Sequence, residues 1–153
     1  VTGVGIIETS GDRVIPVHYD AIKAGGGDFT ERLGIIFSGL QEVIREFRPD
    51  QAAIETVFVA HNAASAIKLG QARGAAVCAA ISLDVPVSEY SPRSVKQAIV
   101  GRGAADKTQV QHMVGLLLGI SGPIQNDAAD ALAVALCHQH TSQTQARMRM
   151  MQR

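Results

Sequence analysis

The sequence has few of the residues that tie a small protein together covalently or place it in a membrane. It contains two cysteines and no tryptophan, and aromatic residues make up 4% of it. Cys78 and Cys137 lie in apolar, Ala-rich stretches whose spacing suits neither a zinc site nor a disulfide framework, so we expect both in the core. No apolar run approaches the roughly 18 residues of a membrane span, and Val1-Thr2-Gly3 lacks the basic region of a signal peptide. We therefore expect a cytoplasmic protein without a membrane partner.

Neither sign of charge dominates, since 14 basic residues balance 14 acidic ones. Net charge alone therefore gives no argument for a nucleic-acid partner. The distribution is uneven: residues 1–60 contain five basic and nine acidic side chains, whereas residues 61–126 contain six basic and three acidic ones. The middle of the chain can thus present a positive surface.

The length and apolar content predict one folded domain. The chain has 153 residues, of which 46% are hydrophobic and 18% charged, and apolar positions are spread along its whole length. At roughly 100 to 200 residues per domain this favours a single core and excludes a disordered chain. We expect the domain to cover residues 1–142 and the Arg- and Met-rich segment 143–153 to be disordered.

Hydrophobic periodicity predicts an α/β fold. Two strands over residues 4–8 and 13–19 flank a turn, and residues 21–23 can form a third short strand. Residues 29–47 have helical spacing, with Thr30 or Asp28 as the N-cap and Arg48-Pro49 as the end. Strand 51–55 is followed by a helix over 62–83 that Asn62 can cap, and strand 85–90 by a helix over 92–100 that starts at Ser91-Pro92. A helix ended by Gly119 and a last helix from Asn126 to about His140 complete the prediction. Helical crossovers between strands are typical of an α/β sheet.

Three carboxylates suggest chemistry. Asp127 and Asp130 are three residues apart in the first turn of a helix and so project from one face, although first-turn acids are also common without a site. Glu55 ends an apolar strand, where an unpaired carboxylate is costly. If the last helix crosses the end of that strand, the three acids converge. Because no run of Lys or Arg beside them in the sequence offers an ion pair, we expect a hard cation such as magnesium as the counter-charge.

Four segments in order give the sequence a family resemblance. They are Glu55 to Asn62 (ETVFVAHN), Ala66 to Gly74 (AIKLGQARG), Val95-Lys96-Gln97 with Ala105-Asp106-Lys107, and Asp127 to Ala133 (DAADALA). Together they resemble bacterial Holliday-junction resolvases of the RuvC family, and the match runs from Val1 to about His140. The resemblance implies a ribonuclease H-like mixed sheet of five strands flanked by helices. It also implies a homodimer that uses two Mg²⁺ ions per site to nick opposed strands of four-way junction DNA, and a functional link to the RuvA–RuvB branch-migration complex.

The resemblance assigns roles to individual residues. Glu55, Asp127 and Asp130 become metal-binding catalytic acids, and Lys96 and Lys107 become catalytic lysines near the scissile phosphate. Phe58 matches an aromatic residue that stacks on junction bases, an interaction worth about 1 to 3 kcal/mol per base in single-strand binders, with core packing as the alternative. The weaker candidates for phosphate contacts are His61, Lys68 and Arg73.

One family feature has no counterpart in the chain. The family's first catalytic aspartate lies on an initial strand, in an Asp-Pro-Gly-Ser-like segment just before a Thr-Gly pair, and this sequence starts at Val1-Thr2-Gly3. The resemblance therefore predicts that one central strand, between the first strands and the strand ending at Glu55, is absent here. Two other functions stay open: a junction-binding protein without nuclease activity, and a different enzyme of the same fold that acts on an RNA–DNA hybrid.

Overall fold

The computed structural model describes residues 1–56 and 61–153. The elements in this part of the chain follow in the order β1 (Thr2–Ser10), β2 (Arg13–Ile22), α1 (Phe29–Phe47), β3 (Ala52–Glu55), α2 (Ala63–Ile81), β4 (Val87–Tyr90), α3 (Pro92–Val100), α4 (Lys107–Leu118) and α5 (Asn126–Met151). This is the predicted order of strands and helices. None of the helices in the described part is long and apolar enough to cross a membrane.

Local capping chemistry sets the helix starts that the sequence predicts. Asp28 rather than Thr30 is the N-cap of α1, and Glu31 completes a capping box with it. The side chain of Asn62 accepts a hydrogen bond from the Ser65 amide at 2.9 Å and caps α2. Ser91 caps α3, which begins with a proline whose missing N–H costs nothing at that position.

Two predicted boundaries are wrong. β2 continues through Ile22, so the short third strand expected at residues 21–23 is the end of β2. The last helix does not end near His140 but continues to Met151, and residues 143–151 are helical rather than disordered. The physical reason is composition: residues 141–151 contain no glycine or proline, and Gln, Ala, Arg and Met favour a helix. The helix crosses the expected domain boundary at residue 142 without a break.

The strands form two separate ladders. β1 pairs antiparallel with β2, and β3 pairs parallel with β4, which places Glu55 opposite Tyr90. Within the described residues no ladder joins β1 to β3. Instead, a groove of about 950 Å³ is lined by both strands together with α1, α2 and α5. This groove lies between the two ladders, where the resemblance predicts a further strand.

Helix α5 supplies the centre of the core. Its buried face carries small residues as well as leucines, and Leu132 and Leu136 are almost completely inaccessible. Cys137 is buried on this helix, as predicted, and it packs with residues of α3 and α4. Cys78 is exposed, so its predicted core position is wrong. It lies on a side of α2 that turns away from the groove.

Two glycines allow α5 to lie directly against the backbone of β1. A Cβ atom on Gly3 would stand 1.9 Å from the carbonyl oxygen of Asp127, and one on Gly5 would stand 2.7 Å from the amide nitrogen of Leu132. Both distances are far below van der Waals contact, and the obstructing atoms are backbone. The absence of side chains at these positions therefore fixes how closely the first turns of α5 approach the strand.

Replacing Gly5 with alanine should destabilise the protein. The added methyl group forces α5 away from β1, and overpacking of this kind costs about 1 to 3 kcal/mol. The measurement is the free energy of unfolding from urea titration. Gly34→Ala is the matched control, because a Cβ there meets nothing within 4 Å on exposed helix α1, and it should leave stability unchanged or raise it by up to about 1 kcal/mol. Equal stability of Gly5→Ala and the parent chain would show that α5 does not need a glycine at this position to pack against β1.

Candidate active site

The three predicted acids line the same groove. Glu55 ends β3, while Asp127 and Asp130 lie in the first turns of α5, and all three contribute to the groove wall. The strand end places one carboxylate on one side, and the helix N-terminus, whose dipole favours anions, places the other two. The structure thus brings together residues that are more than 70 positions apart in the sequence.

The electrostatics of Glu55 show that negative charge is concentrated here. Burial raises the pKa of Glu55, and the nearby negative charge of Asp130 raises it further. Lys96 and Lys107 lie close enough to lower the same pKa, but they offset the increase only in part. Glu55 and Asp130 are therefore an electrostatically coupled pair of acids, with Lys96 and Lys107 as the positive charges nearby.

Lys107 makes the ion pair that the sequence did not predict. Its Nζ donates to Asp130 Oδ2 at 2.8 Å, and this hydrogen bond is the main cause of the raised pKa of Lys107. The lysine is the first residue of α4, so only the packing of α4 against α5 brings it to the acid. Because the two side chains are 57% and 45% exposed, such a pair contributes only about 0 to 1 kcal/mol. An incoming cation or phosphate can therefore replace it at little cost.

Asp127 stands beside the coupled pair rather than within it. Its carboxylate accepts a hydrogen bond from Gln125 Nε2 at 3.3 Å. Among residues 1–56 and 61–153, no three acidic, histidine or cysteine side chains are close enough to form a ready-made metal cluster. The donor chemistry nevertheless fits a hard divalent cation, since carboxylate oxygens are the ligands that Mg²⁺ selects. The expected convergence of three acids is thus a shared groove in which the charge of Asp130 affects Glu55.

The candidate DNA contacts lie in different settings. Lys96, on α3, is near Glu55, whereas Lys68 places its Nζ 5.8 Å from the centre of the Phe29 ring. Arg73 forms an ion pair with Glu89. His61 is exposed at the start of α2, and Phe58 lies outside the described residues.

Two contacts to these candidates were missed from the sequence. Glu89, which holds Arg73, projects from β4 16 positions away along the chain. Gln125, which contacts Asp127, occupies the N-cap position of α5 but makes no side-chain capping hydrogen bond. Glutamine is not among the residues preferred as N-caps, so the sequence gave no reason to single it out.

Glu55→Gln should raise the thermal midpoint of the metal-free protein by a few degrees at neutral pH. Because the pKa of Glu55 is higher in the folded state than in the unfolded chain, ionising it costs stability, and that cost is complete once the pH exceeds the folded-state pKa. Below the ordinary glutamate pKa both proteins carry a neutral side chain, and their midpoints should coincide. Scanning calorimetry across this pH range measures the difference.

Glu89→Gln is the control for this experiment. It removes the same charge but breaks the ion pair with Arg73, so it should not raise the midpoint. A Glu55→Gln protein that is less stable than the parent at neutral pH would show that the Glu55 carboxylate is well compensated.

Comparisons with known proteins agree with this arrangement. The family model for crossover junction endodeoxyribonuclease RuvC matches residues 1–138. A RuvC from Methylococcus capsulatus is 53% identical over 153 residues, which is 100% of this chain and 92% of that protein. A RuvC from Xanthomonas oryzae is 54% identical over 145 residues, covering 94% of this chain and 83% of that protein.

Solved structures show the same fold. Thermus thermophilus RuvC in complex with a Holliday junction substrate superposes with a TM-score of 0.86 at 36% identity, covering 93% of this chain and 88% of that one. A second structure of Thermus thermophilus RuvC gives a TM-score of 0.81 over 93% and 87% of the two chains. The ribonuclease H-like fold expected from the sequence is therefore confirmed. With a family match over nine-tenths of its length and relatives more than half identical, the chain belongs to the RuvC family of crossover junction endodeoxyribonucleases.

Proposed function

We propose that this protein is a structure-selective endonuclease that resolves four-way DNA junctions by paired nicks during recombination and repair. The observation that carries the proposal is the groove in which Glu55 and Asp130 are electrostatically coupled beside Lys96 and Lys107. The relative solved with a Holliday junction substrate supports the same substrate class. Delivery of junctions by a RuvA–RuvB complex is part of this proposal.

A divalent metal ion belongs to this function, as membership of the nuclease family implies. We propose Mg²⁺, with two ions per site, held by Glu55, Asp127 and Asp130. When bound, such ions lower the pKa of an attacking water and stabilise the leaving oxygen of the phosphodiester. The coupled Glu55–Asp130 pair supplies the negative charge that attracts them, and Asp127 adds a third carboxylate from the same helix turn.

The lysines of the groove have a separate role. Because the Lys107–Asp130 pair is exposed and weak, Lys107 can exchange its carboxylate partner for a DNA phosphate when a cation satisfies Asp130. Lys96 lies near the same acids and offers a second positive charge to the phosphate, where such charge offsets the charge of the transition state. The proposal includes DNA contacts by other residues. The phosphates are contacted by His61, Lys68 and Arg73, and a junction base stacks on Phe58.

The groove also supports the expected initial strand. β1 and β3 each line the groove and, within the described residues, each pairs only on the opposite side. A strand placed between them would join the two ladders into one five-stranded sheet and bring an additional aspartate beside Glu55. We propose that full nuclease activity requires a strand in this position.

Asp130→Asn should abolish nicking but leave junction binding largely intact. In a chain preceded by an Asp-Pro-Gly-Ser-type strand, we expect cleavage of a synthetic four-way junction in Mg²⁺ to fall by about 100-fold or more, since metal stabilisation is worth several kcal/mol. Gel-shift titration in Ca²⁺ measures binding separately.

Asp106→Asn is the matched control for that substitution. Asp106 is the N-cap of α4, and asparagine caps a helix equally well, so cleavage should be retained. Near-normal nicking by Asp130→Asn would refute the metal-site assignment. Cleavage of an RNA–DNA hybrid in preference to the junction would favour the other enzyme class.

We further propose a homodimer formed through an exposed face of α2. A line of small residues runs along this face: Ala66, Gly70, Gly74 and Cys78. Gly74 is half-buried and the other three are exposed. The large apolar residues Ile67 and Ile81 are 63% and 58% exposed on the same helix. Ile67, Gly70, Cys78 and Ile81 recur at helical spacing and so share one side of α2. A two-fold dimer through this side would give two sites, which matches the two opposed cuts of the reaction.

Gly70→Arg should weaken dimerisation by more than about tenfold, because it brings bulk and charge into a close apolar contact. A Cβ at Gly70 meets nothing within 4 Å in the isolated chain, so the fold should tolerate the change. Sedimentation equilibrium at micromolar concentration measures the association, with Gly34→Arg on α1 as the control. A parent chain that is monomeric throughout this range would contradict the dimer.

A further inference from the structure

A chain of three side chains links α5 to both strands of the β3–β4 ladder. The Tyr90 hydroxyl lies 2.7 Å from His138 Nδ1, and the other ring nitrogen of His138 contacts Gln51 Oε1. The Tyr90 ring also meets the imidazole edge-on, with centroids 5.7 Å apart. None of these residues belongs to the acids or lysines of the groove site.

The two partners of His138 determine which of its ring nitrogens donates a hydrogen bond and which accepts one. An amide oxygen only accepts, so His138 Nε2 carries the hydrogen and donates to Gln51. Burial lowers the pKa of His138, which favours the neutral imidazole, and in that form Nδ1 accepts from the Tyr90 hydroxyl. Both ring nitrogens are then satisfied, and the ring is held in one tautomer and one orientation.

The link lies where it can fix the position of Asp130 relative to Glu55. Tyr90 stands opposite Glu55 in the ladder, and Gln51 directly precedes the strand that Glu55 ends. His138 lies eight residues after Asp130 on α5, which is about 12 Å along a helix. The link therefore connects α5, which carries Asp130, to β3, which ends at Glu55, and to β4, whose Tyr90 lies opposite Glu55.

Neighbouring side chains of α5 make a different connection. His140 Nδ1 lies 3.3 Å from the Ala98 carbonyl oxygen, and Cys137 Sγ donates to the Ser94 carbonyl oxygen at 3.7 Å. Both contacts reach α3 and leave the position of α5 relative to β3 unspecified. His138 and His140 thus provide a natural comparison on one helix.

We propose that His138 is a positioning residue, which with Tyr90 and Gln51 holds Asp130 at the correct distance from Glu55 for a divalent cation. The proposal rests on the metal-binding function proposed above. Hydrogen-bonded groups that orient metal ligands typically contribute 10- to 100-fold to metal affinity or activity. His138 orients the metal ligand Asp130 indirectly, because it fixes the position of the helix that carries Asp130 and does not contact that side chain.

The test is Mn²⁺ binding to the chain preceded by the same Asp-Pro-Gly-Ser-type strand as in the cleavage assay, measured by calorimetric titration and electron paramagnetic resonance well below the thermal midpoint. His138→Gln and Tyr90→Phe should weaken Mn²⁺ binding by about tenfold. His140→Gln should change it by less than about twofold, even if it lowers the thermal midpoint by a similar amount. ¹⁵N spectra of the parent chain should show His138 as the neutral tautomer with hydrogen on Nε2.

Asp130→Asn distinguishes an error in the proposed metal site from an error in the proposed positioning role of His138. If the parent chain binds Mn²⁺ no better than Asp130→Asn does, the proposed metal site is wrong and the positioning role falls with it. If Asp130→Asn abolishes binding while His138→Gln and Tyr90→Phe bind like the parent, the metal site stands and the positioning role is overturned. A loss of thermal stability without a change in Mn²⁺ affinity would identify the link as structural only.

Discussion

The close approach of α5 to β1 is the constraint on which the candidate site depends. Gly3 and Gly5 remove the side chains that would otherwise separate the two backbones, and Ala128 and Ala129 present an equally thin, fully buried surface on the helix. Dense packing of this kind transmits displacements rather than absorbing them. The positions of Asp127 and Asp130 are therefore determined by the strand, even though neither acid forms part of the core.

Electrostatics explain why this rigid placement matters. The Glu55 carboxylate is partly buried near Asp130, and its pKa is raised mainly by that burial. Exposed Lys107 and half-buried Lys96 offset the rise only in part. A protein selected for stability alone would place an apolar residue at the end of β3, because a buried carboxylate costs free energy. The cost is consistent with a site whose charge is balanced by a bound cation, and perturbed carboxyl groups of this type concentrate at functional sites.

Local signals predicted the elements, whereas long-range contacts determined the details of the site. Asp28, Asn62 and Ser91 were recognisable as helix starts because capping involves residues two or three positions away. The pairing of Lys107 with Asp130 spans 23 positions and depends on how α4 packs on α5, and no periodicity encodes it. The helical segment after residue 142 was missed for the opposite reason: amphipathic periodicity is weak there, while intrinsic propensity favours a helix. The acids themselves were found because a charge at the end of an apolar strand is anomalous, and the family resemblance supplied their roles.

The split sheet makes α5 the element that unites the molecule. It packs on β1 through the glycines and contacts the β3–β4 ladder through the His138 link, so it spans the groove that separates the two ladders. The same helix carries Asp127 and Asp130, two of the five acidic residues that line the groove. Any change that separates the ladders must therefore also move Asp130 relative to Glu55, and a cation bound between these acids would resist that separation. The placement of α5 therefore couples the distance between the two ladders to the distance between Glu55 and Asp130.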